Sequence, residues 1–210
     1  MGMSMSYKTH SSLRGRHQHG FTLAEVLIAM TIMAVGLLGA AALMSNMSVS
    51  ANDSRYMSIE ALLASEKLED LNRYQATDSH ISVPAGASSG SLTADITALV
   101  GATQVDYFDT VQISSGAGKI EEVTSTNPGG VLTYTTITHN PDGTVATPVP
   151  STTAPTPPAD ALVFKRRWII EKDTPVAKVF RITVLVTLTN GTRTQTTTFQ
   201  SSIVRPAPQS

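Results

Sequence analysis

One carboxylate stands in a stretch of chain that otherwise carries no charge. Glu25 lies near the start of the apolar block Phe21–Met44, and no charged side chain follows it from Val26 to Asn52. A carboxylate at the centre of a helix in lipid costs roughly 2.5–3.5 kcal/mol, so it needs a partner or a depth near the interface. Just upstream, Lys8, Arg14 and Arg16 are basic, and no acid precedes Glu25. A basic flank before an apolar helix places the N-terminus on the cytoplasmic side. A secretory signal peptide has a similar flank, but its cleavage site of small residues follows the apolar region. Here no such site stands out after the block, and the Gly20–Phe21 junction lies before it.

The rest of the chain offers little reactive chemistry. Cysteine is absent, which excludes disulfides, thiolate metal sites and a cysteine nucleophile. Beyond residue 20 the only histidines are His80 and His139, far apart and in turn-like contexts. No Gly-rich phosphate loop precedes a helix and no Gly-x-Ser-x-Gly motif occurs. We therefore expect no enzyme activity and no cofactor. Asp106, Asp109, Glu121 and Glu122 lack the spacing of a Ca²⁺ loop, and we expect solvated side chains there. Lys165-Arg166-Arg167-Trp168 joins cations to an aromatic ring, as single-stranded nucleic-acid sites do. Alternation along a strand puts Lys165 and Arg167 opposite Arg166 and Trp168, so an edge strand guarded by charge is the simpler account. No DNA partner is expected. His10, His17 and His19 belong to the polar, basic flank.

These residues need elements to position them. The uncharged run exceeds the ~20 residues that span a bilayer core, and we read residues 21–51 as a transmembrane helix. Gly36 and Ala40 form a small-xxx-small pair that lets helices approach closely. Helical periodicity then continues to Gln75. Met57, Ala61, Ala64, Leu68 and Leu71 form an apolar stripe, widened by Ile59, Leu62 and Leu63. Arg55, Glu60, Glu66, Lys67, Glu69, Asp70 and Arg73 make the polar part. No Pro or Gly occurs from Ala40 to Gln75. One helix of ~55 residues, roughly 80 Å at 1.5 Å per residue, is predicted over 21–75.

The remaining residues, 76–210, read as a β-rich head. Leu92–Val100 and Gln104–Ile113 carry mixed alternation, and Asn127-Pro128-Gly129-Gly130 signals a turn. Val131–Thr138 reads as a strand closed by Asn140-Pro141-Asp142-Gly143. Thr147–Pro158 is proline-rich, and we expect no regular structure there. In 161–171, Leu162, Phe164, Trp168 and Ile170 share one parity. In 176–188, Phe180, Ile182, Val184, Val186 and Leu188 share a face. Asn190-Gly191 marks a two-residue hairpin leading to a strand over 193–204. The expected product is a three-stranded antiparallel meander whose apolar face covers the amphipathic half of the helix.

Gly20-Phe21-Thr22-Leu23-Ala24-Glu25 and the apolar run behind it resemble the type IV prepilin signature. The resemblance implies that a prepilin peptidase cuts after Gly20, that Phe21 is N-methylated, and that Glu25 is the acidic residue used in assembly. The continuation Val26-Leu27-Ile28-Ala29-Met30, with Val35-Gly36-Leu37-Leu38-Gly39, looks most like a PilV-type minor pilin. It implies an α+β, type IV pilin-like fold: a long N-terminal helix, half transmembrane and half amphipathic, packed on a C-terminal antiparallel β-sheet. Residues 1–20 would be a cytoplasmic leader. The subunit would sit in the bacterial inner membrane as a single-pass protein before assembly, and in a pilus or the periplasm after it. Its partners would be the peptidase, other major and minor pilins through the N-terminal helix, and the membrane. A pseudopilin of a type II secretion system shares the helix and the processing, and a competence pilin that contacts DNA is a third reading. Two features depart from common pilin patterns. The disulfide near the C-terminus is missing, and the twenty-second mature position is Ala42 rather than Pro.

The whole chain carries a formal charge of −1. Taking Lys8, Arg14 and Arg16 from its 15 basic residues leaves 12 against 16 acids, or −4 after processing, which gives no general attraction to nucleic acid. Only Gly lacks a Cβ that could clash near a peptidase's catalytic centre. Replacing Gly20 with a bulky residue such as leucine should therefore leave full-length protein in the membrane. An unchanged mature mass in that variant would remove the peptidase from the account.

Overall fold

The computed structural model describes residues 20–83, 87–101, 103–114, 118–126, 131–189 and 197–206. Among these residues one long helix, α1 (Leu23–Arg73), precedes ten strands. These are β1 (Ser88–Gly90), β2 (Thr97–Val100), β3 (Thr103–Asp106), β4 (Phe108–Ile113), β5 (Ile120–Thr126), β6 (Thr133–His139), β7 (Val149–Ser151), β8 (Leu162–Lys172), β9 (Val179–Leu188) and β10 (Thr198–Pro206). The chain is thus α+β with type IV pilin-like organisation. The helix lies within two residues of its predicted bounds at each end and runs through Ala42 without a break. It divides at Val49/Ser50 between two compact units.

In the second unit, an eight-stranded sheet has the order β10-β9-β8-β4-β5-β6-β7, with β1 paired to the distal end of β8. All pairings are antiparallel. β2 and β3 form a separate two-stranded ladder. The terminal meander β8-β9-β10 is present as expected. In β9 the side chains of Phe180, Ile182, Val184, Val186 and Leu188 are all buried, as period-2 alternation requires. Ile182, Val184, Val186 and Leu188 pack with Phe164, Trp168 and Ile170 of β8 and with Leu63, Ala64, Leu68 and Leu71 of α1 in one core. The Asn190-Gly191 hairpin and the Asn127–Gly130 turn lie outside the described residues. At the turn after β6, the Asn140 N–H donates to the Thr144 carbonyl at 2.9 Å, and Gly143 takes φ 82°.

Several expectations need correction. The buried face of α1 is Glu60, Leu63, Ala64, Lys67, Leu68 and Leu71, so two residues assigned to the polar part lie inside. Met57 and Leu62, assigned to the apolar part, are exposed. The stripe is a regular helical one, but long-range polar partners decide its exact rotation. The strand carrying Lys165-Arg166-Arg167 is no edge. β8 lies between β9 and β4, because acids from distant segments neutralise its cations. Val149–Ser151, expected to be irregular, forms β7 by pairing Val149 and Ser151 with Thr136 and Tyr134. A proline at this outermost strand removes no necessary ladder bond.

The end of α1 is closed by the last strand. Arg205 Nη1 donates to the carbonyls of Tyr74 at 2.9 Å and Asn72 at 3.2 Å. These are carbonyls that a helix terminus leaves without intrahelical partners. At the C-terminal end of β8, β1 approaches so closely that a side chain at position 90 has no room. A Cβ on Gly90 would stand 2.2 Å from the Trp168 carbonyl oxygen and 3.1 Å from the Tyr107 ring, at φ +97°. Gly90→Ala should therefore destabilise the head by roughly 2–4 kcal/mol, from backbone strain and overpacking together. Thermal unfolding of the full-length protein in detergent checks this. An unchanged melting temperature would mean β1 does not pair at this register.

Candidate functional site

The first unit holds the predicted processing and assembly residues. Gly20 and Phe21 precede α1, and Phe21 is 88% exposed. Among the described residues, nothing lies within 4 Å of the place a Cβ on Gly20 would occupy. Thr22 is the cap of α1. Its N–H and hydroxyl donate to Glu25 Oε2 at 2.9 and 3.0 Å, and the Glu25 N–H donates back to the Thr22 hydroxyl oxygen at 3.3 Å. This is a capping box: residue types Thr-x-x-Glu satisfy orphan N–H groups at the helix start reciprocally. The negative carboxylate is also favoured there by the helix dipole. Glu25 was singled out from the sequence, whereas Thr22 was not, although the Thr-x-x-Glu spacing signals it.

Behind the cap, α1 contains a window with mean hydropathy 2.4 and none of it buried, long and apolar enough to cross a membrane. Exposed Val26, Leu27, Ile28, Ile32, Leu37 and Leu38 would be unfavourable in water, at roughly 25 cal/mol per Å² of apolar surface. This surface is consistent with membrane anchoring.

The second unit contains the acids and cations noted in the sequence, and it brings most of them together. Asp109 of β4 is 1% exposed and Arg166 of β8 is 2% exposed. Arg166 Nε and Nη2 donate to the two Asp109 oxygens at 2.6 and 2.8 Å, the bidentate geometry that suits a guanidinium. Lys67 Nζ lies 3.0 Å from the same carboxylate and 4.5 Å from the centre of the Trp168 ring. Glu122 of β5 completes the group by accepting from Arg166 Nη2. Asp109 and Glu122 are thus not the solvated acids we expected. Burial alone would raise the Asp109 pKa, but Lys67 and Arg166 overcome that and hold it at about 2. Burial outweighs the cations at Glu122, whose carboxyl is pushed up. Asp106 accepts from the Ser125 hydroxyl at 3.1 Å and from the Thr97 hydroxyl. Burial raises its pKa as well.

The other two basic residues of the cluster face away from α1. Lys165 and Arg167 donate to the two oxygens of Asp95, Arg167 at 2.8 Å. Each cation of Lys165-Arg166-Arg167 is thereby matched by a carboxylate, and the cluster presents no unneutralised basic stripe. A cavity of about 570 Å³ opens within the head beside the end of α1, with Tyr74, His80, Asp106, His139, Arg166 and Trp168 among its walls. Tyr74 and His80 stack at 4.4 Å between ring centres. Sequence alone gave no sign that these two histidines line one space. Among the described residues, no group of three or more His, Asp or Glu is placed to hold a metal ion.

The sequence model of one family, described as the prokaryotic N-terminal methylation motif, matches residues 15–41. The match covers the Gly20–Phe21 junction, Glu25 and the first part of α1. It supports a type IV prepilin-like protein. No curated protein matches the chain, and no solved structure matches it.

The buried ion group makes a test with a definite sign. The Asp109 pKa is lower in the folded chain than its unfolded value near 3.9. Its contribution is therefore complete above pH ~4 and is lost as pH falls toward 2. Asp109→Asn should leave Lys67 and Arg166 buried without their shared carboxylate, at a cost of roughly 3–5 kcal/mol. Thermal unfolding between pH 7 and pH 2 should show the variant less stable at neutral pH and with a flatter loss between pH 4 and 2. Superimposable curves for the two proteins would mean that Asp109 does not hold this group together.

Proposed function

We propose that the chain is a minor subunit of a type IV pilus, most like the PilV type, with a structural rather than catalytic role. A prepilin peptidase cuts between Gly20 and Phe21 on the cytoplasmic face, and the new N-terminus of Phe21 is methylated. The apolar half of α1 holds the subunit in the inner membrane until it joins other pilins through that helix. The head, residues 76–210, lies outside the membrane and contributes to assembly or to the pilus tip. The observation that carries this reading is a coincidence at one place. The methylation motif over residues 15–41 overlies the unburied apolar half of α1, and the lone carboxylate of that apolar half is fixed at the first turn of the helix.

The role of Glu25 follows from charge. Cutting after Gly20 creates an α-amine on Phe21, a cation within a few residues of the carboxylate. In a growing filament the amine of one copy can meet Glu25 of the next. An ion pair is strong in a low-dielectric helix bundle, and either charge alone is costly there. Such a pair fixes the axial register of adjacent helices, which apolar contacts in lipid specify poorly.

Glu25→Ala should therefore insert and be cut like the wild type, while its recovery in sheared filaments collapses and its membrane pool remains. Immunoblots of the two pools measure this. Equal incorporation of variant and wild type into filaments would show that Glu25 is simply a solvated group at headgroup level.

A further inference from the structure

We propose that the cavity beside the end of α1 binds an organic cation, an ammonium or guanidinium group, with Asp106 as its counter-ion. The walls of this space of about 570 Å³ carry the carboxylates of Glu66, Glu69, Asp70, Asp106 and Glu122. The cations on the same walls, Lys67, Arg73 and Arg166, are two fewer. Each of them already has a carboxylate. Arg73 Nη2 lies 2.8 Å from Glu69, Lys67 Nζ lies 3.0 Å from Asp109, and Arg166 pairs with Asp109 and Glu122. Asp106 is different. Its two oxygens accept from the hydroxyls of Thr97 and Ser125, both neutral donors. Among the described residues no cation pairs with it. Burial already pushes its carboxyl above the ordinary range, and an opposite charge beside it would favour the ionised form.

The walls select the kind of ligand. A bare metal ion needs several ligands, and among the described residues no group of three His, Asp or Glu is placed to hold one. An anion would meet the excess of carboxylates, and a neutral ligand would leave Asp106 unmatched. An alkylammonium or guanidinium needs one carboxylate and gains from a ring face. The head already uses that contact on two rings of these walls. Lys67 Nζ lies 4.5 Å from the centre of the Trp168 ring, and Lys165 Nζ lies 5.5 Å from that of Phe108. The Tyr74–His80 stack, with planes 9° apart, is the ring surface of the cavity that carries no cation among the described residues. The volume falls within the ~300–1,000 Å³ of small-molecule sites. It admits either a free amine or the end of a lysine or arginine side chain from a partner subunit.

Calorimetric titration of the full-length protein in detergent with pentane-1,5-diamine and with agmatine, at matched ionic strength, tests the site. Saturable binding is expected, weakened about tenfold by Asp106→Asn, the scale of one hydrogen bond to a charged group. That variant should unfold close to the wild-type temperature, because the Thr97 and Ser125 hydroxyls can accept from an amide as well as donate to it. Tyr74→Leu leaves the carboxylate in place and removes a ring, and it should weaken binding about two- to fivefold. Glu69→Gln removes an exposed wall charge already paired with Arg73 and should leave the affinity near wild type. No saturable binding, or wild-type affinity in Asp106→Asn, would overturn the proposal. If Asp106→Asn does not fold, wild-type affinity in Tyr74→Leu would do the same. Equal weakening by Asp106→Asn and Glu69→Gln would also overturn it, since the protein would then respond to net charge alone. Given site-specific binding, the recovery of folded Asp106→Asn in sheared filaments separates the two sources. A fall identifies a side chain of a neighbouring subunit, and wild-type recovery identifies a free amine.

Discussion

The head depends on a carboxylate that water does not reach. Asp109 lies between Arg166, which comes from the neighbouring strand, and Lys67, which comes from the helix. Each charge alone would cost several kcal/mol in that interior; together, with bidentate geometry and the Trp168 ring against the lysine, they are satisfied. Because one partner lies on α1 and two lie on the sheet, the group fixes which turn of the helix meets which strands. The surrounding apolar contacts of Leu63, Leu68 and Leu71 supply most of the burial energy, but such contacts tolerate sliding and rotation more readily than an ion pair does. A head without cysteine has no covalent alternative for holding that alignment.

Three carboxylates on or facing α1 show the same constraint met in different ways. Asp109 is matched by cations. Glu60 is 0% exposed, and its Oε1 accepts from the Leu188 N–H at 3.2 Å and the Thr197 hydroxyl at 2.7 Å. Burial pushes its carboxyl above the ordinary range, which favours the neutral form in that place. It joins the end of β9 to the start of β10, the two strands that flank the expected hairpin. Glu25, in the first turn of the helix, is held among the described residues by the cap.

The periodic features were legible because they are local. The bounds of α1 follow from apolar periodicity and from the lack of Gly and Pro after Ala40. The inward face of β9 follows from five alternating apolar residues. The burial of Glu60 and Lys67 could not be read the same way, since their partners stand far along the chain, at Leu188, Thr197 and Asp109. A helical wheel assigns such residues to water by default. Position 166 failed for a related reason. Three successive cations suggest a guarded edge, and only the fold brings Asp95 and Asp109 to them. Thr22 is the opposite case. Its bond to Glu25 spans three residues, and the Thr-x-x-Glu spacing alone signals it.

We propose a processed, membrane-held subunit whose mature chain begins at Phe21. The most direct measurement is the intact mass and N-terminal residue of the wild-type protein extracted from membranes of cells that also make a prepilin peptidase. The account predicts a chain that starts at Phe21 with a methylated α-amine. A chain that still starts at Met1, or one cut beyond the apolar block, would contradict it.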